Sequence, residues 1–225
     1  MIDLYTSFTT NAQRASIALL ESGLPYTLHP VDLYKGEHKT PAFLAINPNG
    51  TLPAMTDRDG PGGESLTLTQ SAGIAWYLAE KSGRMLPQGA RATALAQDWT
   101  LFLATDVYPP FASQYYLRWS DLPDPEPAAV MFEKRMHNAF ARLNRELAAR
   151  AFVCGDDVTI VDIIAYPMTA MATKDFAVLS DLENLKRWRD TMAQRPAVAK
   201  AMSWYADNAP ALDKVPDTWT RAMKD

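Results

Sequence analysis

The sequence predicts an α/β domain followed by an all-α domain, and three observations predict it. Over residues 1–83, short apolar runs at strand period alternate with helical period, and Gly, Pro and Asn cluster between them. From Arg91 onward the apolar residues recur at helical spacing alone. Between the two patterns lies a short punctuated stretch, so the expected domains are residues 1–83 and 91–225, joined by a linker at 84–90.

Ile2–Tyr5 reads as a short first strand. Asn11–Ser22 reads as a helix: Ala12, Ala15, Ile17, Ala18 and Leu19 share helical spacing, and Gly23 stops it ahead of Pro25. Tyr26–Leu33 is a second strand, placed at a sheet edge by Pro30, which has no N–H to give to a ladder. Pro41–Ile46 carries a short helical piece, and Asn47-Pro48-Asn49-Gly50 marks a loop. Thr51–Thr56, the turn Asp59–Gly63 and Ser65–Thr69 then make a hairpin. Ser71–Lys81 is a helix with Ile74, Tyr77 and Leu78 on one face, ended by Gly83. The order predicts a mixed four-stranded sheet.

In the second half, Arg91–Tyr108 is a helix broken by Pro109-Pro110, with Phe111–Trp119 continuing beyond the break. Asp121–Pro127 is a rigid polar connector. Helices follow at Ala128–Arg150, Thr159–Thr173, Leu182–Gln194 and Ala197–Tyr205, which together make a helical bundle.

Composition narrows the function. Of 225 residues, 48% are apolar and 21% charged, with a formal charge of −4 and no Lys/Arg block. That balance makes nucleic acid and anionic membrane surfaces poor candidates as partners, a local basic patch aside. No basic residue precedes Arg14, so the start lacks the charged region of a secretory signal, and a cytoplasmic protein is expected. The apolar stretch Ile160–Met171 is interrupted by Asp162 and Pro167 and is too short to span a bilayer. Cys154 is the only cysteine, so neither an internal disulfide, a Cys-x-x-Cys redox pair nor a cysteine-rich metal site can form. If thiol chemistry happens here, the working sulfur is expected from a ligand.

Four local patterns in this order give the chain a resemblance. Thr9-Thr10-Asn11 lies between the first strand and first helix, and Asn47-Pro48-Asn49-Gly50-Thr51-Leu52-Pro53 looks like an N-P-x-G-x-[IVL]-P segment. Gln70-Ser71 matches an [EQ]-S pair, and Thr159-Ile160-Val161-Asp162-Ile163 matches an [ST]-x-x-D-I capping box. Each is weak alone, but their order and spacing resemble the soluble glutathione transferases over essentially the whole chain. The Thr-x-Asn arrangement, Met1–Tyr5 and Val31–Leu33 look most like the bacterial Nu-class, which is associated with glutathione-dependent disulfide reduction as well as transfer. The resemblance implies a thioredoxin-like first domain, glutathione as co-substrate without a metal, a small electrophile or disulfide as second substrate, and a homodimer. In it the helices Arg91–Tyr108 and Ala128–Arg150 would face the partner's N-terminal domain.

It also implies roles for residues. A cis peptide bond before Pro53 would turn the Leu52 backbone outward to pair with the extended tripeptide. Ser71 and Gln70, at a helix N-terminus, suit the γ-glutamyl carboxylate and ammonium, although taken alone the pair reads first as an ordinary helix cap. His38 and Lys39 fall in the loop that approaches the glycyl carboxylate, with a solvated histidine as the alternative. Thr51 stands where close relatives carry Lys. A cross-subunit arginine of the Nu-class has no clear counterpart, Lys134 and Arg135 being only nearby.

For catalysis, the sulfur is the point of interest. A thiol with pKa near 8.5 is only about 3% thiolate at pH 7, and lowering it two units takes roughly 2.7 kcal/mol of anion stabilisation. A hydrogen bond to a charged group supplies about 1.5–3 kcal/mol and a helix N-terminus about 0.3–1. Thr9, with Asn11 adding an amide donor, is therefore assigned as the thiol contact, with Tyr5, Ser7 and Thr10 as alternatives and simple helix capping as the bland reading. Tyr108, Phe111 and Tyr115, with Tyr116 and Trp119 nearby, are candidates for a second-substrate pocket or for plain core. Thr159 and Asp162 are assigned to helix capping, and Cys154 to packing. A non-catalytic binding module on the same scaffold is the competing function.

Overall fold

Four strands form one mixed sheet in the computed structural model, which describes residues 1–175 and 179–208. β1 (Ile2–Thr6) runs parallel to β2 (Tyr26–Pro30) and antiparallel to β3 (Ala54–Asp57), which in turn pairs antiparallel with β4 (Leu66–Leu68). The order β2-β1-β3-β4 puts β2 at an edge, as Pro30 requires. Ile2 and Leu4 are buried, and Thr6 in the same phase bonds Ser16 of helix α1 (Thr10–Ser22), so this face of β1 meets α1. Asp3 and Tyr5 alternate to the other face. There Tyr5 stacks on His29, ring centroids 4.7 Å apart, and meets Phe43 of the short α2 (Pro41–Leu44) edge-on.

Two strands are shorter than their apolar patterns suggest. β2 stops at Pro30, not Leu33: the Val31 N–H still makes the ladder bond to the Thr6 carbonyl at 2.9 Å, but Thr6 is the last residue of β1, so the pairing goes no further. β3 begins at Ala54, not Thr51, because the preceding residues belong to a loop pinned by Asn47. α3 (Ser71–Ser82) packs on α1, and both helices end on a left-handed glycine, Gly23 at φ 69° and Gly83 at φ 68°.

The chain divides into two compact units. The first is Met1–Leu86 joined by Arg195 and α9 (Pro196–Asn208); the second is Pro87–Gln194. The sequence reading kept α9 with the helical domain 91–225, but α9 packs on α1. A forked ion pair between Arg195 and Glu21 (2.7 and 2.9 Å) fixes its start, and the Tyr205 hydroxyl reaches Thr6 at 2.5 Å and Ser16 at 2.8 Å. Helical period reports an apolar face and not the element that covers it. Residues 209–225 and the Trp119 side chain lie outside the described residues.

The second unit is helical: α4 (Ala90–Phe102), α5 (Tyr108–Trp119), α6 (Glu126–Glu146), α7 (Ile160–Asp175) and α8 (Glu183–Ala193). Trp188, Phe140, Met136, Leu143 and Leu103 are fully buried in its core. Pro109-Pro110 does not break the chain direction as expected. α4 passes into α5 through a π-helical turn, Leu103–Val107, in which the Tyr108 N–H bonds the Leu103 carbonyl. Two consecutive prolines cannot donate into an α-helical ladder, and a wider turn absorbs the missing bonds.

Candidate active site

Thr9 is the N-cap of α1. Its backbone is extended (φ −72°, ψ 152°), and its hydroxyl oxygen accepts from the Ala12 N–H at 3.3 Å. The capping role and the thiol role therefore do not compete. Capping uses a lone pair and fixes the rotamer, while the hydroxyl hydrogen is committed to no partner among the described residues. Of the alternatives, Tyr5 is turned to the other face of the sheet, and Ser7 and Thr10 are buried.

Asn11, in the first turn of α1, presents its Oδ1 to two groups. Arg14 Nη1 donates to it at 3.2 Å and Ser71 Oγ at 3.4 Å. Arg14 Nη1 also donates to Ser71 Oγ at 2.9 Å, which ties the start of α1 to the start of α3. Ser71 is the first residue of α3, and Gln70 holds the N-cap position without a side-chain cap bond. Gln70 is exposed and its side chain is not spent on the helix, so the plain-cap reading does not account for it.

The Leu52–Pro53 bond is cis, as expected. Leu52 lies ahead of the first ladder pair, Ala54 with Tyr5, so its peptide groups fall outside the sheet ladder. The loop before it is built on Asn47, which is fully buried: Nδ2 donates to the Thr51 carbonyl (2.7 Å) and hydroxyl (3.2 Å), and Oδ1 accepts from Asn49 N–H (3.1 Å). Gly50 turns with φ 58°, and a Cβ there would lie 3.0 Å from the His38 carbonyl and 2.9 Å from Lys39 Nζ. This close approach gathers His38, Lys39 and the loop 49–52 in one place. His38 is half-buried, and its Nδ1 is shielded with no hydrogen-bond partner among the described residues. Burial, then the neighbouring Lys39 charge, lower its pKa, so the ring is neutral at pH 7.

A cavity of about 280 Å³ opens beside Ser7 and Phe8, between the ends of β1 and β2. Tyr34, stacked on Phe8 at 5.2 Å, and Trp204 of α9 supply its aromatic wall. The sequence reading missed both Arg14 and Trp204. Helical spacing put Arg14 on the apolar face of α1, which was the available signal; nothing local announced Trp204.

Tyr108, Phe111 and Tyr115 lie in the second unit. Phe111 is 3% exposed and packs edge-on to Tyr115 at 5.3 Å, while Tyr108 and Tyr115 are half-buried. Cys154 is half-buried, and burial pushes its thiol up to about 11, so it stays protonated and inert at neutral pH. Asp162 reaches back to Thr159 N–H at 2.9 Å, the expected box. The Thr159 hydroxyl, however, donates to Asp162 (3.1 Å), and two further donors arrive from Val153 N–H (3.0 Å) and Trp188 Nε1 (2.9 Å). Among the described residues there is no metal-holding cluster of His, Cys, Asp and Glu, and no helix long and apolar enough to cross a membrane.

A thioredoxin-like sheet carrying an N-cap hydroxyl, an outward loop before a cis-proline and a serine at the start of α3 defines the class. The chain belongs to the glutathione S-transferase family: the N-terminal domain model of that family matches residues 8–81 and the C-terminal domain model residues 104–196. Among its relatives is the disulfide-bond oxidoreductase YfcG of Escherichia coli, 31% identical over 90% of this chain and 94% of the relative. A second disulfide-bond oxidoreductase of that organism, YghU, is 26% identical over 95% of this chain and 78% of the relative. Solved neighbours include a glutathione transferase family member from Pseudomonas fluorescens with two glutathione bound (30% identity, TM-score 0.82, 89% of this chain and 92% of that one). A glutathione transferase from Pseudomonas putida, with one glutathione disulfide bound per subunit, is 27% identical at TM-score 0.82, over 89% of this chain and 90% of that one.

Proposed function

We propose that this chain binds glutathione, holds its sulfur as a thiolate at Thr9 and Asn11, and uses it to reduce disulfides or attack small electrophiles. The observation that carries this reading is the Thr9 hydroxyl: its oxygen accepts from Ala12 N–H, which leaves its hydrogen to donate to an anion at the start of α1. The γ-glutamyl end lies at Ser71 and Gln70, the cysteinyl peptide pairs with Leu52 beside Pro53, and the glycyl carboxylate meets His38 and Lys39. Lys39 Nζ, close against Gly50, supplies the cation that Thr51 does not.

Disulfide reduction is the favoured chemistry, because two relatives are disulfide-bond oxidoreductases and one solved neighbour holds glutathione disulfide. The thiolate attacks one sulfur of the substrate disulfide, whose S–S bond breaks, and a mixed disulfide with glutathione forms. The other sulfur leaves as a thiolate that takes a proton from water. A second glutathione thiolate then displaces the substrate sulfur and leaves glutathione disulfide. The cavity walled by Phe8, Tyr34 and Trp204 suits an apolar portion of the second substrate. On the second unit, the half-buried Tyr108 and Tyr115 remain candidates to contact a second substrate, and Phe111, 3% exposed, is packing. The working form is a cytoplasmic homodimer, which sediments at about 50 kDa, twice the 25.0 kDa of one chain.

The deciding experiment is an ultraviolet titration of glutathione bound to the protein, followed by assays on a model disulfide and a model aryl halide. Thiolate absorbance persisting well below the free-thiol pKa supports the reading. Binding without any thiolate at neutral pH would leave the non-catalytic module.

A further inference from the structure

Arg14 has no part in the chemistry above, yet it sits between the two ends of the proposed site. It lies on α1 one turn beyond Asn11 and is only 5% exposed. Its Nη1 reaches Asn11 Oδ1 and Ser71 Oγ, residues separated by 60 positions in the chain. These bonds set directions. A guanidinium has donors and no acceptor, so Asn11 has to offer it the amide oxygen, and the donor end, Nδ2, is the opposite terminus of the same amide. The Ser71 oxygen receives Arg14, so its own hydrogen leaves on another side. That hydrogen now goes to Asn11 Oδ1 at 3.4 Å, a long bond that a carboxylate readily replaces.

We infer that Arg14 is a positioning residue for glutathione: through Asn11 it holds an amide donor on the sulfur, and through Ser71 a hydroxyl donor on the γ-glutamyl carboxylate. This rests on the function proposed above. Arg14 touches neither ligand group. Its buried positive charge lies behind both partners and favours the ionised form of any anion that either of them binds. Sulfur activation and recognition of the far end of the tripeptide thus share one side chain. A glutathione analogue without the γ-glutamyl carboxylate therefore loses thiolate character as well as affinity.

The test compares wild type, Arg14→Met and Arg14→Lys by the pH profile of kcat/KM, the titration of bound glutathione and the melting temperature. Arg14→Met raises the acid limb by about one unit and lowers kcat/KM at pH 7 about tenfold to a hundredfold. Arg14→Lys keeps the charge but not the fork, so its limb falls between the other two while KM for glutathione rises. In an Asn11→Ala background, Arg14→Met moves the limb by less than half as much, because the route through the amide is already gone. A Met variant that melts lower but keeps the wild-type limb overturns this role and leaves the proposed function standing. If the Met variant does not fold, a Lys variant matching wild type in both limb and KM overturns it. A wild-type protein whose bound glutathione titrates like the free thiol overturns both.

Discussion

Two buried polar clusters, one in each unit, use similar residues in opposite ways. Around Asp162, which is 0% exposed, four donors converge on one carboxylate: Val153 N–H, Thr159 N–H, Thr159 Oγ1 and Trp188 Nε1. The network closes on itself, and a closed network has nothing left to offer a ligand. Around Asn11, Arg14 and Ser71 one donor, Arg14 Nη1, serves acceptors at two helix starts, Asn11 Oδ1 and Ser71 Oγ, beside a Thr9 hydroxyl whose hydrogen is uncommitted among the described residues. Direction of donation, more than burial or residue type, separates the folding cluster from the one proposed to bind.

Asp162→Ala has the largest expected effect. It leaves the Val153, Thr159 and Trp188 donors buried without an acceptor, which costs about 3–5 kcal/mol, more than a simple cap. Chemical denaturation measures the loss, and activity per folded molecule stays near wild type. A collapse of catalysis with the midpoint unchanged would erase the contrast.

Thr9→Ala acts on the other cluster. kcat/KM falls tenfold to a thousandfold, about 1.4–4 kcal/mol of transition-state stabilisation, and the lost cap costs about 1 kcal/mol of stability. Thr9→Ser keeps both the cap and the donor and restores both readouts. Wild-type kinetics in the alanine variant would move the thiol contact to Ser7 or Thr10.

Acid sharpens the comparison from a different side. Asp3 and Asp57 of the first unit are buried, which alone would raise their carboxyls. Hydrogen bonds from Arg58 and His29 to Asp3, and from Lys81 and Tyr77 to Asp57, outweigh burial and lower both below the ordinary carboxylate value. A lowered folded pKa stabilises above the unfolded pKa, and that contribution disappears as pH falls through the folded one. Stability of the sheet unit therefore drops below about pH 4, and Asp57→Asn flattens that acid slope in a pH series of thermal melts.

The smallest effect belongs to Cys154. With its thiol raised to about 11, Cys154→Ser leaves disulfide-reducing activity unchanged, and alkylation at pH 7 is slow. Loss of activity would relocate the working sulfur from ligand to protein.

Much of this was legible in the sequence. Period-two and helical patterns located the strands and the long helices, because burial of one face imposes those periods on the residues themselves. Gly23 and Gly83 marked helix ends through their left-handed backbone, and the resemblance pointed to Thr9, Pro53 and Ser71, which lie at a helix cap, a cis peptide bond and a helix start. What the pattern could not carry is the identity of a residue's neighbour. Arg14 and Ser71 are 57 positions apart, Thr6 and Tyr205 199, and Asp162 and Trp188 26, and no local spacing encodes such pairs. The placing of α9 on α1, the π-turn that carries α4 past Pro109-Pro110, and the linking of the two helix starts by one guanidinium were decided only by tertiary packing. The physical reason is that a helix or strand fixes which face a side chain occupies, whereas its hydrogen-bond partner is chosen when two faces meet.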